Sequence, residues 1–218
     1  MFKSSVLRFL AFPALVCLSA SSHASLIVYT SQASFFAATS AQGIDTFSGL
    51  DTMAPTPSPL NRSAGAYGYT ATASVSTFFG AGTPANPWLS TNDATATMTL
   101  NGFTNAAQAI GGNFFGSDVQ GLFKSGSVTV TAVDSSGTST QTIADAIETS
   151  FLGFVSSDSL ISLSVSAVQA SQGAIWPTLD NLVIAQRAAS NGVPEPHSTT
   201  LLLAGIGIMG WLARRRRT

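Results

Sequence analysis

Three stretches of the chain alternate apolar and hydroxyl-bearing side chains with period two. In residues 95–100, Ala96, Met98 and Leu100 alternate with Thr95, Thr97 and Thr99. In residues 127–133, Val128, Val130 and Ala132 alternate with Thr129 and Thr131. In residues 161–167, Ile161, Leu163, Val165 and Ala167 alternate with Ser162, Ser164 and Ser166. Successive side chains of a strand point to opposite faces, so each stretch predicts a strand with one face in a core and the other in water. Further strands are expected at 26–30, 67–73, 109–115, 151–155 and 179–185. Asp134-Ser135-Ser136-Gly137 predicts a hairpin turn. A short helix over 32–39 is expected, capped by Ser31 and packing Phe35 or Phe36 on the sheet. Residues 54–61, with three prolines, and residues 80–87 are expected to be loops. Many short strands separated by turn signals predict an all-β fold: a single antiparallel β-sandwich, jelly-roll-like, over residues 25–189.

The two ends follow other rules. Lys3 and Arg8 precede a nearly unbroken apolar or small run over 9–20, and Ser22-His23-Ala24 offers small residues at the two positions a signal peptidase reads. Residues 1–24 are therefore expected to be a signal peptide cut after Ala24. Near the other end, Val193-Pro194-Glu195-Pro196 precedes a polar break, an apolar stretch to Ala213, and the cluster Arg214, Arg215, Arg216 and Arg217. Two prolines around one glutamate hold the backbone extended, which suits a processing enzyme's groove. A helix over 199–213 would span about 22 Å at ~1.5 Å per residue, against a bilayer core of about 30 Å. Snorkelling arginines make up part of the difference. The arginines are expected to stay cytoplasmic, which leaves the domain outside. Residues 190–218 thus read as a linker plus a membrane-inserting tail.

Charge divides along the same lines. Between Ser25 and Val193 three basic residues, Arg62, Lys124 and Arg187, stand against nine acidic ones, a net of −6. The whole-chain value of −1 hides this. An acidic domain repels phosphate backbones, so no nucleic-acid partner is expected. That span contains neither cysteine nor histidine. Disulfides, Ser-His-Asp and Cys-His catalysis and His or Cys zinc sites are excluded there. Carboxylate chemistry remains open, but no acid has the surroundings of a glycosidase pair. Trp88, after the second loop, together with Tyr67 and Tyr69, is a candidate sugar-stacking surface, because aromatic faces suit sugar C–H groups. Trp176, before Pro177, is expected in the core.

The order Pro-Glu-Pro, apolar helix, arginine cluster resembles the PEP-CTERM sorting domain of Gram-negative bacteria. The resemblance implies an exosortase as partner, transient membrane insertion of the tail, and association with exopolysaccharide and biofilm matrix. Gly111-Gly112-Asn113-Phe114-Phe115, Phe151-Leu152-Gly153-Phe154-Val155 and the closing Pro177-Thr178-Leu179-Asp180-Asn181-Leu182-Val183-Ile184 resemble the β-sandwich ectodomains of such proteins. The last also resembles the final strand of jelly-roll carbohydrate-binding modules. That likeness implies a structural calcium, its one cofactor expectation, at Asp180 and Asn181, with Asp45 the candidate partner. The expectation is an exported, non-enzymatic protein of the envelope, cell surface or matrix. The alternatives are a carbohydrate-binding module, a carboxylate-dependent glycan hydrolase and a surface adhesin. Ser/Thr-rich faces also allow O-glycosylation.

Overall fold

The computed structural model describes residues 26–169, Ser171 and 173–189. The expected signal peptide and the sorting tail lie outside the described residues. In chain order the elements are β1 (Ile27–Tyr29), α1 (Gln32–Ala37), β2 (Thr39–Asp45), β3 (Pro55–Pro57), β4 (Leu60–Ala64), β5 (Tyr67–Ala73), β6 (Thr77–Thr83) and β7 (Asn86–Thr91). They continue with β8 (Met98–Asn101), β9 (Ala109–Ser117), β10 (Gly126–Asp134), β11 (Thr138–Ala146), β12 (Phe151–Val155), β13 (Leu160–Ala167) and β14 (Trp176–Arg187). All the strand pairs are antiparallel. They form an eight-stranded sheet, ordered β1-β12-β9-β14-β7-β6-β3 with β2 also on β14, and a six-stranded sheet, ordered β11-β10-β13-β8-β5-β4.

The alternating stretches are the heart of the smaller sheet. Val128, Val130, Leu163, Val165, Met98 and Leu100 turn inward and are wholly buried. Opposite them lie Ile110, Phe114, Leu152, Phe154, Leu179 and Leu182 of the larger sheet, in one continuous cluster. One residue breaks the expected rhythm. Ile161 is 53% exposed and Leu160 is buried instead. The pairing with β10 slips there: Val133 faces Ser162, and Asp134 faces Leu160. That bulge leaves Ile161 unpaired and turned to solvent.

The larger sheet is covered on its outer face too. Ser31 caps α1 by accepting from the Ser34 N–H. Phe35 drops from the helix onto Ala109, Phe151, Val183 and Ala185. Gly153 makes room for it, since a Cβ there would overlap the Phe35 ring. At the other end, Trp88 and Phe115 meet edge to face at 4.9 Å, and Phe123 from the β9–β10 connection packs on Phe115.

Both expected loops are strands. Residues 54–61 hold β3 and the start of β4. A proline lacks the ladder N–H and suits an outer strand, and β3 is the last strand of its sheet. Residues 80–87 hold the β6–β7 hairpin, whose Gly82 at φ +79° gave a loop-like composition. β2 approaches β4 so closely that Gly43 lies against the Ala64 carbonyl and Gly65. A methyl group there would overlap backbone, which cannot swing aside. Gly43→Ala is expected to cost about 1–3 kcal/mol of stability, read from urea unfolding, as over-packing does.

Candidate functional site

Asp45 ends β2 on the inner side of the larger sheet, facing β4 and β5 of the smaller one. Arg62 donates to it twice, Nε to Oδ2 and Nη2 to Oδ1, both at 2.7 Å. Tyr69 adds its hydroxyl to Oδ2 at 2.7 Å, and the Phe47 N–H donates to Oδ1 at 2.8 Å. Arg62 and Tyr69 face each other across the β4–β5 ladder, so the sequence delivers both to one carboxylate. The guanidinium also lies over the Phe47 ring, 5.3 Å from its centre. Burial alone would raise the Asp45 pKa; the hydrogen bonds from Arg62 and Tyr69 outweigh it and hold the carboxyl below its ordinary value. The same burial, with the charge of Asp45, pushes the Tyr69 phenol up.

Asp180 is also buried, but in a different setting. It faces Asn113 in the β14–β9 ladder, on the outer face of the larger sheet between the helix cover and the Trp88 cover. A bulge follows, with Asn181 at φ +49°. Asn181 donates to it from both backbone N–H (2.7 Å) and side-chain amide (3.0 Å). Burial raises the Asp180 pKa, and the nearby charge of Glu148 adds to the rise.

The structure therefore does not bring the calcium candidates together. Asp45 turns to the interior and spends all its oxygens on Arg62, Tyr69 and Phe47, while Asp180 and Asn181 stand beyond the sheet. Among the described residues no group of three or more acids converges as a metal site. The sugar-stacking candidates are likewise separated from solvent. Tyr67 and Tyr69 are 3% exposed and Trp88 is 8% exposed, so none presents a ring face. Inward alternation along β5 claims the tyrosines, and the T-shaped contact with Phe115 claims Trp88. Trp176, expected in the core, is half-buried instead. With Phe79, Asn92, Asp118 and Val119 it lines a cavity of about 70 Å³. That is room for about two water molecules rather than a sugar ring.

The outer face of the smaller sheet is the surface sequence reasoning underrated. Register places Thr140, Thr131, Ser164, Thr99 and Thr72 in one row across five strands. Thr142, Thr129 and Ser166 form a second row. Neighbouring hydroxyls bond directly, Thr131 to Thr140 and Thr129 to Thr142 at 3.0 Å, and Thr99 to Ser164 at 3.1 Å. These rows carry no charge. The signal was the polar half of the same alternation that located the core.

The ion pair generates two expectations. Asp45→Asn leaves Arg62 buried and short of its partner, and is expected to cost about 3–5 kcal/mol in urea unfolding. A lowered carboxyl pKa gives stability that is present above the ordinary value of 3.8 and lost as pH falls through the folded value. The Asp45→Asn variant is therefore expected to lack part of the acid-side fall in stability seen in the native chain. Asp180, with its raised pKa, works in the opposite sense: protonation on acidification favours the folded state.

The candidate sorting residues Val193, Pro194, Glu195 and Pro196 and the basic cluster Arg214 to Arg217 lie outside the described residues, and comparison of sequences speaks to them instead. Comparison with curated proteins and with solved structures finds no match. Residues 192–217 match the family model of the PEP-CTERM protein-sorting motif. The match implies exosortase-dependent sorting and export to the envelope or surface of a Gram-negative cell, and the chain is thereby identified as carrying a PEP-CTERM sorting motif over those residues.

Proposed function

We propose that the chain is a non-enzymatic surface or matrix protein, released from its membrane tail by an exosortase and associated with exopolysaccharide. The observation that carries this reading is the PEP-CTERM match over 192–217, at the end of a chain whose preceding residues fold as an all-β domain. The domain's chemistry supports it. It has no histidine or cysteine nucleophile chemistry to offer. Its acids hold the fold together: Asp45 binds Arg62, and Asp134 accepts from Ser136, Gly137 and Ser156 to close the β10–β11 turn. A glycosidase needs two carboxyl groups opposed across a cleft. Asp180 has the raised pKa of an acid catalyst but sits among Asn113 and Asn181 with its oxygens occupied. The hydroxyl rows of the smaller sheet are a surface on which neutral glycan can be met by hydrogen bonding, without the repulsion a charged face would meet.

The test of the sorting step is the intact mass of the protein recovered from cell surface and medium, beside a Glu195→Ala variant. The native chain is expected to lack both the leader and the arginine tail, while the variant keeps the membrane helix. A native mass that retains Arg214 to Arg217 would make the chain a simple anchored protein.

A further inference from the structure

We propose that β11 is a self-pairing edge, through which two copies of the domain join antiparallel about a two-fold axis at Gln141 into one continuous sheet. This rests on the edge itself and does not depend on the sorting reading. An outer strand presents unpaired N–H and C=O groups, and soluble proteins blunt such edges with prolines, charges, short length or a covering segment. Three edges here are blunted. β3 is three residues long with prolines at 55 and 57, and β1 is three residues long. β4 carries Arg62 and is crossed by β2 at the Gly43–Gly65 contact. Along residues 138–144 β11 has none of these devices; Asp145 and the bulge beside it lie at its far end, away from Gln141. The strand is nine residues long and, among the described strands, pairs only with β10. From Ser135 to Ala144 it has neither proline nor charged residue. Threonine and isoleucine favour strands, so the segment is ready to pair again.

Its sequence is also complementary to itself. With Gln141 on the axis, Thr140 stands opposite the second copy's Thr142, and Thr142 opposite its Thr140. Those side chains already lie in the hydroxyl rows with Thr131 and Thr129, so pairing extends both rows across the junction. Beside this edge, Gln141, Thr142 and Ile143 border a groove of about 450 Å³, lined also by Ile147, Phe151 and Leu152. Ile143 is half-buried and Ile147 is 54% exposed. In the same register the second copy's Ser139 stands opposite Ile143, and the added strand covers this groove. The domain's net negative charge opposes association at a distance, but no like charges meet along the paired segment.

The domain of residues 25–189 has its own closed core and no cysteine, so it serves for the test. Directly opposed residues of an antiparallel pair have Cα atoms about 4.5–5.5 Å apart, within disulfide range. Gln141→Cys is expected to give a disulfide-linked dimer on mild oxidation. Thr83→Cys, at the far β6–β7 hairpin, is expected to stay monomeric. By sedimentation, Thr140→Lys combined with Thr142→Lys is expected to weaken self-association by on the order of tenfold or more, since each lysine meets one from the other copy. Circular dichroism should be unchanged, because both positions are exposed. The proposal is overturned if the native domain is monomeric at millimolar concentration and Gln141→Cys cross-links no faster than Thr83→Cys. It is equally overturned if the double-lysine domain associates like the native one, or if on cells Gln141→Cys is captured only by a different protein.

Discussion

The fold depends on one apolar layer between two sheets, because no covalent cross-link is available to hold them. No disulfide or histidine-bound metal can form between Ser25 and Val193. The layer is continuous from Val128 and Leu163 on one side to Phe114 and Leu179 on the other. At one margin, between β2 and β4, the gap is closed by a charge instead of a hydrocarbon. Asp45 receives four hydrogen bonds there, two of them from the Arg62 fork. Such a pair adds little over a hydrophobic filling, yet it is costly to break one side at a time. It fixes which edges meet and makes that margin sensitive to acid.

The two outer faces then take different roles. The larger sheet is roofed by α1 at one end and by Phe123 over Trp88 and Phe115 at the other. The smaller sheet is bare, with hydroxyl rows that end at an unprotected strand. The aromatic candidates for sugar contact, Tyr67, Tyr69 and Trp88, are buried in this domain. In the proposed role, contact with a neutral polymer would fall to hydroxyl groups. These are individually weak, and many copies side by side would strengthen the contact through multivalency. The proposed self-pairing edge and the repeating hydroxyl face are mutually consistent with the proposed matrix role.

The parts of the fold legible in the sequence were those with alternation to read. The inward residues of β8 and β10 follow the pattern, the Ser31-capped helix forms, and Asp134 to Gly137 turns the β10–β11 hairpin. β11 was not legible, because a strand at a sheet margin can be almost wholly polar. β7 buries five successive residues and shows no alternation, since both its faces are covered. β3 and β6 were hidden by proline and glycine. Of the site residues, Asp45 and Asp180 were singled out as calcium candidates, and the structure places them on opposite faces of the larger sheet. Which face each would occupy depended on the β14 bulge and the β2 crossing, which leave no local trace. The fate of Tyr69 was set by Arg62, seven residues earlier but opposite it in the ladder.

The most direct test of the account is the location of the domain in cells with and without exosortase, by immunoblot of the membrane and extracellular polysaccharide fractions. With the enzyme, the domain is predicted in the polysaccharide fraction and free of its arginine tail. Without it, the full tail should remain and the protein should stay with the membrane. A domain found equally in the polysaccharide fraction of both cells, or confined to membranes in both, would contradict it.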